Sequence, residues 1–299
     1  MAHSRTRRAA LLAIVGLAVF AAAVLVARWF RQSQAGLDFL ASYPGFAPQP
    51  TATPQGIPAW LNWQHYLNLV FMLLIVRSAL VLRSKQRPPA FFTRRNEGLI
   101  RTSSAPRRMS IYLWLHLSAD LLWVPNGIVY IVLLVGTGHW MRIVPTTWAV
   151  VPNAVSAGIQ YLSFQWPTEH AWAAYNALQQ LSYFAVVFLA APLALGTGLR
   201  LSAAWPATWS MNRFLPEKPA RKIHAAVLWF FVGFIVVHVT LVLTNGPLSN
   251  LNAMFAANDG TSLLGLGMFL LAVLSVVFLW VAVRPGVLKA VAARFGKVQ

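Results

Sequence analysis

Residues 223–246 read IHAAVLWFFVGFIVVHVTLVLTNG, with no Asp, Glu, Lys or Arg among them. A run of this length and polarity suits an α-helix crossing about 30 Å of hydrocarbon, because a helix satisfies its backbone polar groups within the segment. The run carries two histidines, His224 and His238, fourteen positions apart. At about 100° per residue, fourteen steps fall about 40° short of four turns, so both imidazoles leave nearly the same face, about 21 Å apart along the axis. An imidazole left without a partner in hydrocarbon forfeits several kcal/mol. This helix carries that cost twice, at two depths.

Outward from this helix, apolar segments recur at roughly 9–29, 59–82, 110–136, 174–199 and 262–283, with the quoted one at 223–244. The chain of 299 residues is 58% hydrophobic and 10% charged, against about 25% charged in an average soluble domain. Mean hydropathy is +0.60. The expectation is an all-α membrane protein with six transmembrane helices. The first segment follows Arg5, Arg7 and Arg8 and meets no clean small-x-small cleavage site before Arg28, so it reads as a retained anchor over residues 1–30. Residues 31–58 are rich in proline and glycine and read as an extracytoplasmic linker. Residues 59–256 read as the core, and 257–299 as a last transmembrane helix with a tail. The loop 137–173 holds Trp140, Trp148, Trp166 and Trp172, which suits the headgroup layer. The sequence contains no cysteine, which excludes disulfides, thiolate zinc sites, cysteine-ligated iron–sulfur clusters and covalent haem attachment.

The net charge of +18 invites a nucleic-acid reading, but its distribution answers to a membrane. With the N-terminus in the cytoplasm, three basic residues precede the first segment, eight lie between Arg83 and Arg108, five between Arg200 and Lys222, and four follow from Arg284. The opposite side holds three, Arg28, Arg31 and Arg142, while Arg77 falls inside a span. That bias places both termini in the cytoplasm of a multi-pass protein of the cell (inner) membrane, with the lipid bilayer and no nucleic acid as partner.

Of seven histidines, four fall in spans: His65, His116, His224 and His238. Helix direction sets their depths. His65 and His238 each lie about six residues, or roughly 9 Å, below the outer boundary. His116 and His224 both lie toward the inner end, at depths that differ by several Å, an offset that helix tilt accommodates. The pairs are therefore His65 with His238 and His116 with His224. Two haem groups, each with histidine at both axial positions, satisfy all four. Zinc wants four ligands at one depth, and a proton relay wants alternating acids and bases across the bilayer. Gly127 and Ala79, eleven and fourteen residues after His116 and His65, place small side chains opposite the other level.

The stretches W63QHYLN68, W114LHLSADLLWVPNGIVY130, Y175NALQQLSYFAVVFLAAPLALGTGLRLS202 and I223HAAVLWFFVGFIVVHVTLVLTNG246 resemble the bacterial cytochrome b561 and nickel-hydrogenase cytochrome b family, which includes the formate dehydrogenase gamma subunit. The resemblance covers about residues 57–256. It implies a four-helix core, built from helices 2–5, that binds two b-type haems. It also implies His65, His116 and the His224–His238 pair as iron ligands, and electron transfer between a redox partner subunit and membrane quinone. Chains of this look are similar to those that accompany molybdopterin-dependent oxidoreductases, which implies a partner of that kind. The extra N-terminal helix inverts the core relative to members lacking it, so the compartment each haem faces does not carry over.

Asp120 is the one acid inside a span, four residues after His116. Intramembrane acids are functional candidates. Asp120 could accept a quinol proton, bond the free nitrogen of a ligating imidazole, or pair with Arg77. Arg83, Arg200, Arg221 and Lys222 near the inner level, and Arg142 near the outer, are candidate propionate partners. His139 lacks an intramembrane partner and is not expected to ligate. The expected function is that of an electron-transfer subunit rather than a stand-alone enzyme. The alternative is a haem-free multi-pass transporter or membrane anchor scaffold.

Overall fold

The computed structural model describes residues 2–84, 86–97, 101, 105–167, 172–206 and 208–299, with side chains from residue 6 onward. Lys85 and His170 lie outside the described residues. In chain order the helices are α1 (Ala2–Gln32), α2 (Gln34–Ser42), α3 (Ala59–Arg83), α4 (Ile111–Gly136), α5 (Val150–Leu162), α6 (Ala177–Phe184), α7 (Ala191–Leu201), α8 (Met211–Phe214), α9 (Glu217–Thr244), α10 (Pro247–Ala256), α11 (Leu264–Ala282) and α12 (Pro285–Ala292). Six stretches are long and apolar enough to cross a membrane: Thr6–Gln32, Ala59–Arg83, Ile111–Gly136, Ala177–Leu201, Glu217–Thr244 and Leu264–Ala282. The expected six-helix, mostly helical membrane architecture is therefore present.

Two spans carry proline-driven detail. α9 begins at Glu217, earlier than its apolar stretch, because Pro216 is its N-cap and Pro219 sits in the first turn, where the missing N–H costs nothing. The fourth span passes from α6 through a π-helical segment, Ala185–Ala190, into α7. Pro192 lies just beyond. Its ring would strike the carbonyl of Phe188 in a regular helix, and a wider turn relieves that clash.

The chain divides into two compact units, Met1–Gln55 with Thr137–Ala185, and Gly56–Gly136 with Val186–Gln299. In the first, the tryptophan-rich loop is an ordered layer with its own core of Val150, Ala154 and Ala177, packed with Ala47, Leu178 and Leu181. Asn176 and Gln179 form a reciprocal capping box at the start of α6, and Asn176 also donates to the Tyr161 hydroxyl at 2.8 Å. Arg142 is only 2% exposed. It donates to the Trp172 carbonyl at 3.1 Å and lies 4.7 Å from the Tyr175 ring centroid. Its guanidinium is thus committed within this layer.

The second unit holds a feature absent from the sequence reading. Strands β1 (Phe91–Arg94), β2 (Met109–Ser110) and β3 (Gly296–Val298) form an antiparallel sheet in the order β2-β1-β3. A core of Ala90, Phe92, Ile111, Leu115, Leu288 and Ala292 lies against it. The loop after the second span and the chain's C-terminal segment, both basic, therefore meet at one end of this unit. Arg77 donates to the carbonyls of Trp280 and Val283 at the end of α11 and lies 4.5 Å over the Trp280 ring. The sequence allowed an Arg77–Asp120 ion pair; among the described residues, Arg77 turns to α11 instead, because uncapped helix-end carbonyls attract a cation.

Asn252 fastens the other end of α11. It is fully buried and donates to Leu248 O at 2.9 Å and to Ser262 O. Its side-chain oxygen accepts from Ser262 Oγ and the Gly265 N–H. Removing it strands several buried polar groups, at about 1–3 kcal/mol for each group left unpaired. Asn252→Ala is expected to lower the thermal unfolding temperature in detergent clearly. Equal melting of Asn252→Ala and the parent would count against this fastening.

Candidate functional site

α9 carries His224 near its start and His238 near its end, α3 carries His65, and α4 carries His116. The structure brings them together in two couples. The His65 and His238 ring centroids are 6.2 Å apart with planes at 58°. The His116 and His224 centroids are also 6.2 Å apart, with planes at 77°. The pairing is the one that depth along the helices predicts. α3 packs along α4 and α7 along α9, while α3 and α9 meet sparsely.

The surroundings of the couples differ. His116 Nδ1 lies 2.9 Å from Ser78 Oγ, and Ser78 Oγ also lies 2.9 Å from the Ile75 carbonyl. His224 Nδ1 lies 3.0 Å from Thr197 Oγ1, which also bonds the Leu193 carbonyl. A hydroxyl owns one proton and a carbonyl only accepts. All of these contacts are hydrogen bonds together only if each hydroxyl donates to its own helix and accepts from Nδ1–H. That assigns the Nδ1–H tautomer to both rings and leaves both Nε2 atoms with bare lone pairs. Ser78 is completely buried and Thr197 is 2% exposed. Neither stood out in the sequence. The available signal was a hydroxyl at the depth of a histidine on a neighbouring helix, and other in-span serines and threonines share that description.

The other couple sits among aromatic rings. His65 Nδ1 is buried without a hydrogen-bond partner. Its ring meets Phe255 edge-on at 5.6 Å, and His238 stacks on Phe234 at 5.4 Å with planes 10° apart. An apolar cleft of about 410 Å³ adjoins, lined by Asn62, Trp63, Tyr66, Phe255, Met268 and Leu271 among others. Trp63 and Leu271 are both well exposed at its rim. Asn62 Nδ2 donates to the Ala253 carbonyl, and its Oδ1 is buried without a partner.

Asp120 Oδ2 lies 3.7 Å from His116 Nε2, too long for a hydrogen bond and close enough for charge to be felt. A Cβ at Gly198 would meet the His224 ring at an ordinary contact distance of 3.5 Å, and one at Gly127 would meet nothing within 4 Å, so neither position demands glycine. Of the candidate propionate partners, Arg200 donates to the Leu215 carbonyl at 2.8 Å, and Arg221 pairs with Glu217 at 2.5 Å. Arg83 and Lys222 are exposed. His139 lies apart, in a 3₁₀ turn (His139–Arg142). Burial first, and the Arg142 charge second, hold its imidazole below the ordinary histidine range, while a hydrogen bond at Thr137 opposes them.

Two imidazoles bonded through nitrogen to one metal at about 2.0–2.1 Å place their centroids a little over about 6 Å apart. Both couples fit that spacing. Among the described residues no group of three or more His, Cys, Asp or Glu side chains could hold a metal ion. A metal at either couple must bring the rest of its coordination sphere with it. Comparison with protein-family models, curated proteins and solved structures finds no match for this chain, so its resemblance to the cytochrome b561 family rests on the quoted motifs.

Proposed function

We propose that this protein is a membrane di-haem b-type cytochrome subunit. In this reading it carries electrons between a redox partner, of the molybdopterin-dependent kind, and the quinone pool of a respiratory chain. The observation that carries the reading is the double coincidence at the histidines. Two couples share a centroid spacing of 6.2 Å and are stacked on one helix, with no third protein ligand at either among the described residues. Haem iron needs only two ligands from the protein, which two histidines could supply. His65 with His238, and His116 with His224, would hold the two irons. When bound, the groups supply one-electron exchange.

The protein's own side chains do the rest. His65, His116, His224 and His238 would hold the two groups between fixed protein ligands, which suits electron transfer rather than substrate activation. Ser78 and Thr197 orient one couple. Phe234 and Phe255 line the other with apolar surface, which excludes water. The cleft beside His65, with Trp63 and Leu271 exposed at its rim, supports access by a lipophilic carrier arriving from lipid. The basic loop 83–108 and the basic C-terminal segment are joined by β1 and β3, which supports putting both on the cytoplasmic side of the cell membrane.

The purified protein is expected to show a reduced-minus-oxidised b-type spectrum and two haems per chain. Each of His65→Ala, His116→Ala, His224→Ala and His238→Ala is expected to lose one haem and keep the other. A colourless preparation made with ample porphyrin would favour a haem-free transporter or scaffold, and two haems retained in His238→Ala would break the ligand assignment. Asp120→Asn separates two roles for the carboxylate. A proton-accepting role predicts a drop of about 10²-fold or more in quinol-linked turnover. Near-parental turnover with both haems in place would leave Asp120 as an electrostatic neighbour of His116.

A further inference from the structure

The two couples share a spacing and differ in what stands behind the rings. Behind His116 and His224 the pattern is duplicated on separate helices. A hydroxyl on α3 and another on α7 each spend their proton on a carbonyl of their own helix and accept at 2.9 Å and 3.0 Å from a histidine Nδ1. Behind His65 there is no such acceptor, and its Nδ1 is buried without a partner. The Asp120 carboxyl lies on the first side, its Oδ2 3.7 Å from His116 Nε2.

A hydrogen bond accepted from the distal ring nitrogen fixes the tautomer of a ligating histidine and raises the basicity of the nitrogen facing the metal. A more basic axial ligand stabilises the ferric over the ferrous state and lowers the reduction potential, one of the levers a protein has over haem iron. A carboxylate nearby acts in the same direction, since it favours the more positive metal.

We infer that Ser78 and Thr197 are positioning residues that lock His116 and His224 as Nδ1–H tautomers. Through those bonds they hold the iron at this couple at a lower potential than the iron at His65 and His238. The inference rests on the di-haem reading and goes beyond it, because it assigns two residues outside the histidine set and ranks the two levels. The outcome is an electronic slope within one chain, with the low-potential level at the end that carries the three-stranded sheet.

The test is a potentiometric titration of the purified, haem-loaded full chain, followed by its optical spectrum. Comparison with His65→Ala shows which of the two midpoints belongs to the His116 couple. The parent is expected to give two midpoints, the lower one at that couple. Ser78→Ala and Thr197→Val are each expected to raise that midpoint and leave the other unmoved. A shift of about tenfold in the oxidised-to-reduced ratio at fixed potential corresponds to about 59 mV for a one-electron couple. Ser78→Thr and Thr197→Ser keep the acceptor and are expected to keep the parental value. If Ser78→Ala loses its haem, Ser78→Cys, of similar size and weak accepting power, takes its place with a rise of the same sign. Unmoved midpoints in variants with both haems intact would overturn the inference and leave the di-haem reading standing. So would a parent whose lower midpoint belongs to the His65 couple. A parent that binds no haem would overturn both.

Discussion

An imidazole in hydrocarbon costs free energy at each nitrogen left without a partner, and the second unit meets that cost unevenly: His116 and His224 have hydroxyl partners at Nδ1, while His65 Nδ1 is buried without one. α9 carries two such rings fourteen residues apart, so the problem is posed at two depths. α3 answers at one depth with His65 and α4 at the other with His116, each bringing a ring to 6.2 Å from its opposite number. On the proposed reading each couple would hold an iron, and metal–ligand bonds would offset part of the cost of four intramembrane histidines.

The six spans were legible because transmembrane helices are written in long apolar runs, and this chain writes each one separately. The couples were legible because depth along a helix is arithmetic once direction is known. Ser78 and Thr197 were not legible, since their role depends on which face of α3 and α7 meets which ring. Hydroxyl residues recur elsewhere in the spans, as at Ser275, Thr240 and Thr244, where they bond backbone carbonyls. The sheet was hidden for a different reason. Its strands are two to four residues long, too short for alternation to register, and β3 pairs with a strand about two thirds of the chain away. The C-terminal segment read as a basic tail; its Leu288 and Ala292 instead join Phe92, Ile111 and Leu115 in a buried cluster.

Three arginines of this chain are met by neutral partners. Arg77 uses two helix-end carbonyls and a tryptophan face. Arg142 uses a carbonyl and a tyrosine face. Arg200 does the same with Leu215 and Trp205. With 24 basic residues against 6 acidic ones, there are too few carboxylates to pair them, and carbonyls with aromatic faces take the load. Of the candidate propionate partners, Arg142, Arg200 and Arg221 are engaged elsewhere, while Arg83 and Lys222 are exposed.

The scarcity of acids gives Asp120 its weight. Desolvating a carboxylate in a span is expensive, and a structural pairing with Arg77 would have explained it cheaply. With Arg77 committed to α11, Asp120 is left with His116 Nε2 at 3.7 Å on the same helix, at the level where both rings already have hydroxyl partners. Three independent features, two hydroxyls and one carboxylate, therefore bear on one couple, while the other is bordered by Phe234, Phe255 and an apolar cleft. A polar level and an apolar level in one bundle give two chemically equal ligand sets unequal surroundings. On the proposed reading, unequal surroundings are what two like centres need if electrons are to run between them in a preferred direction.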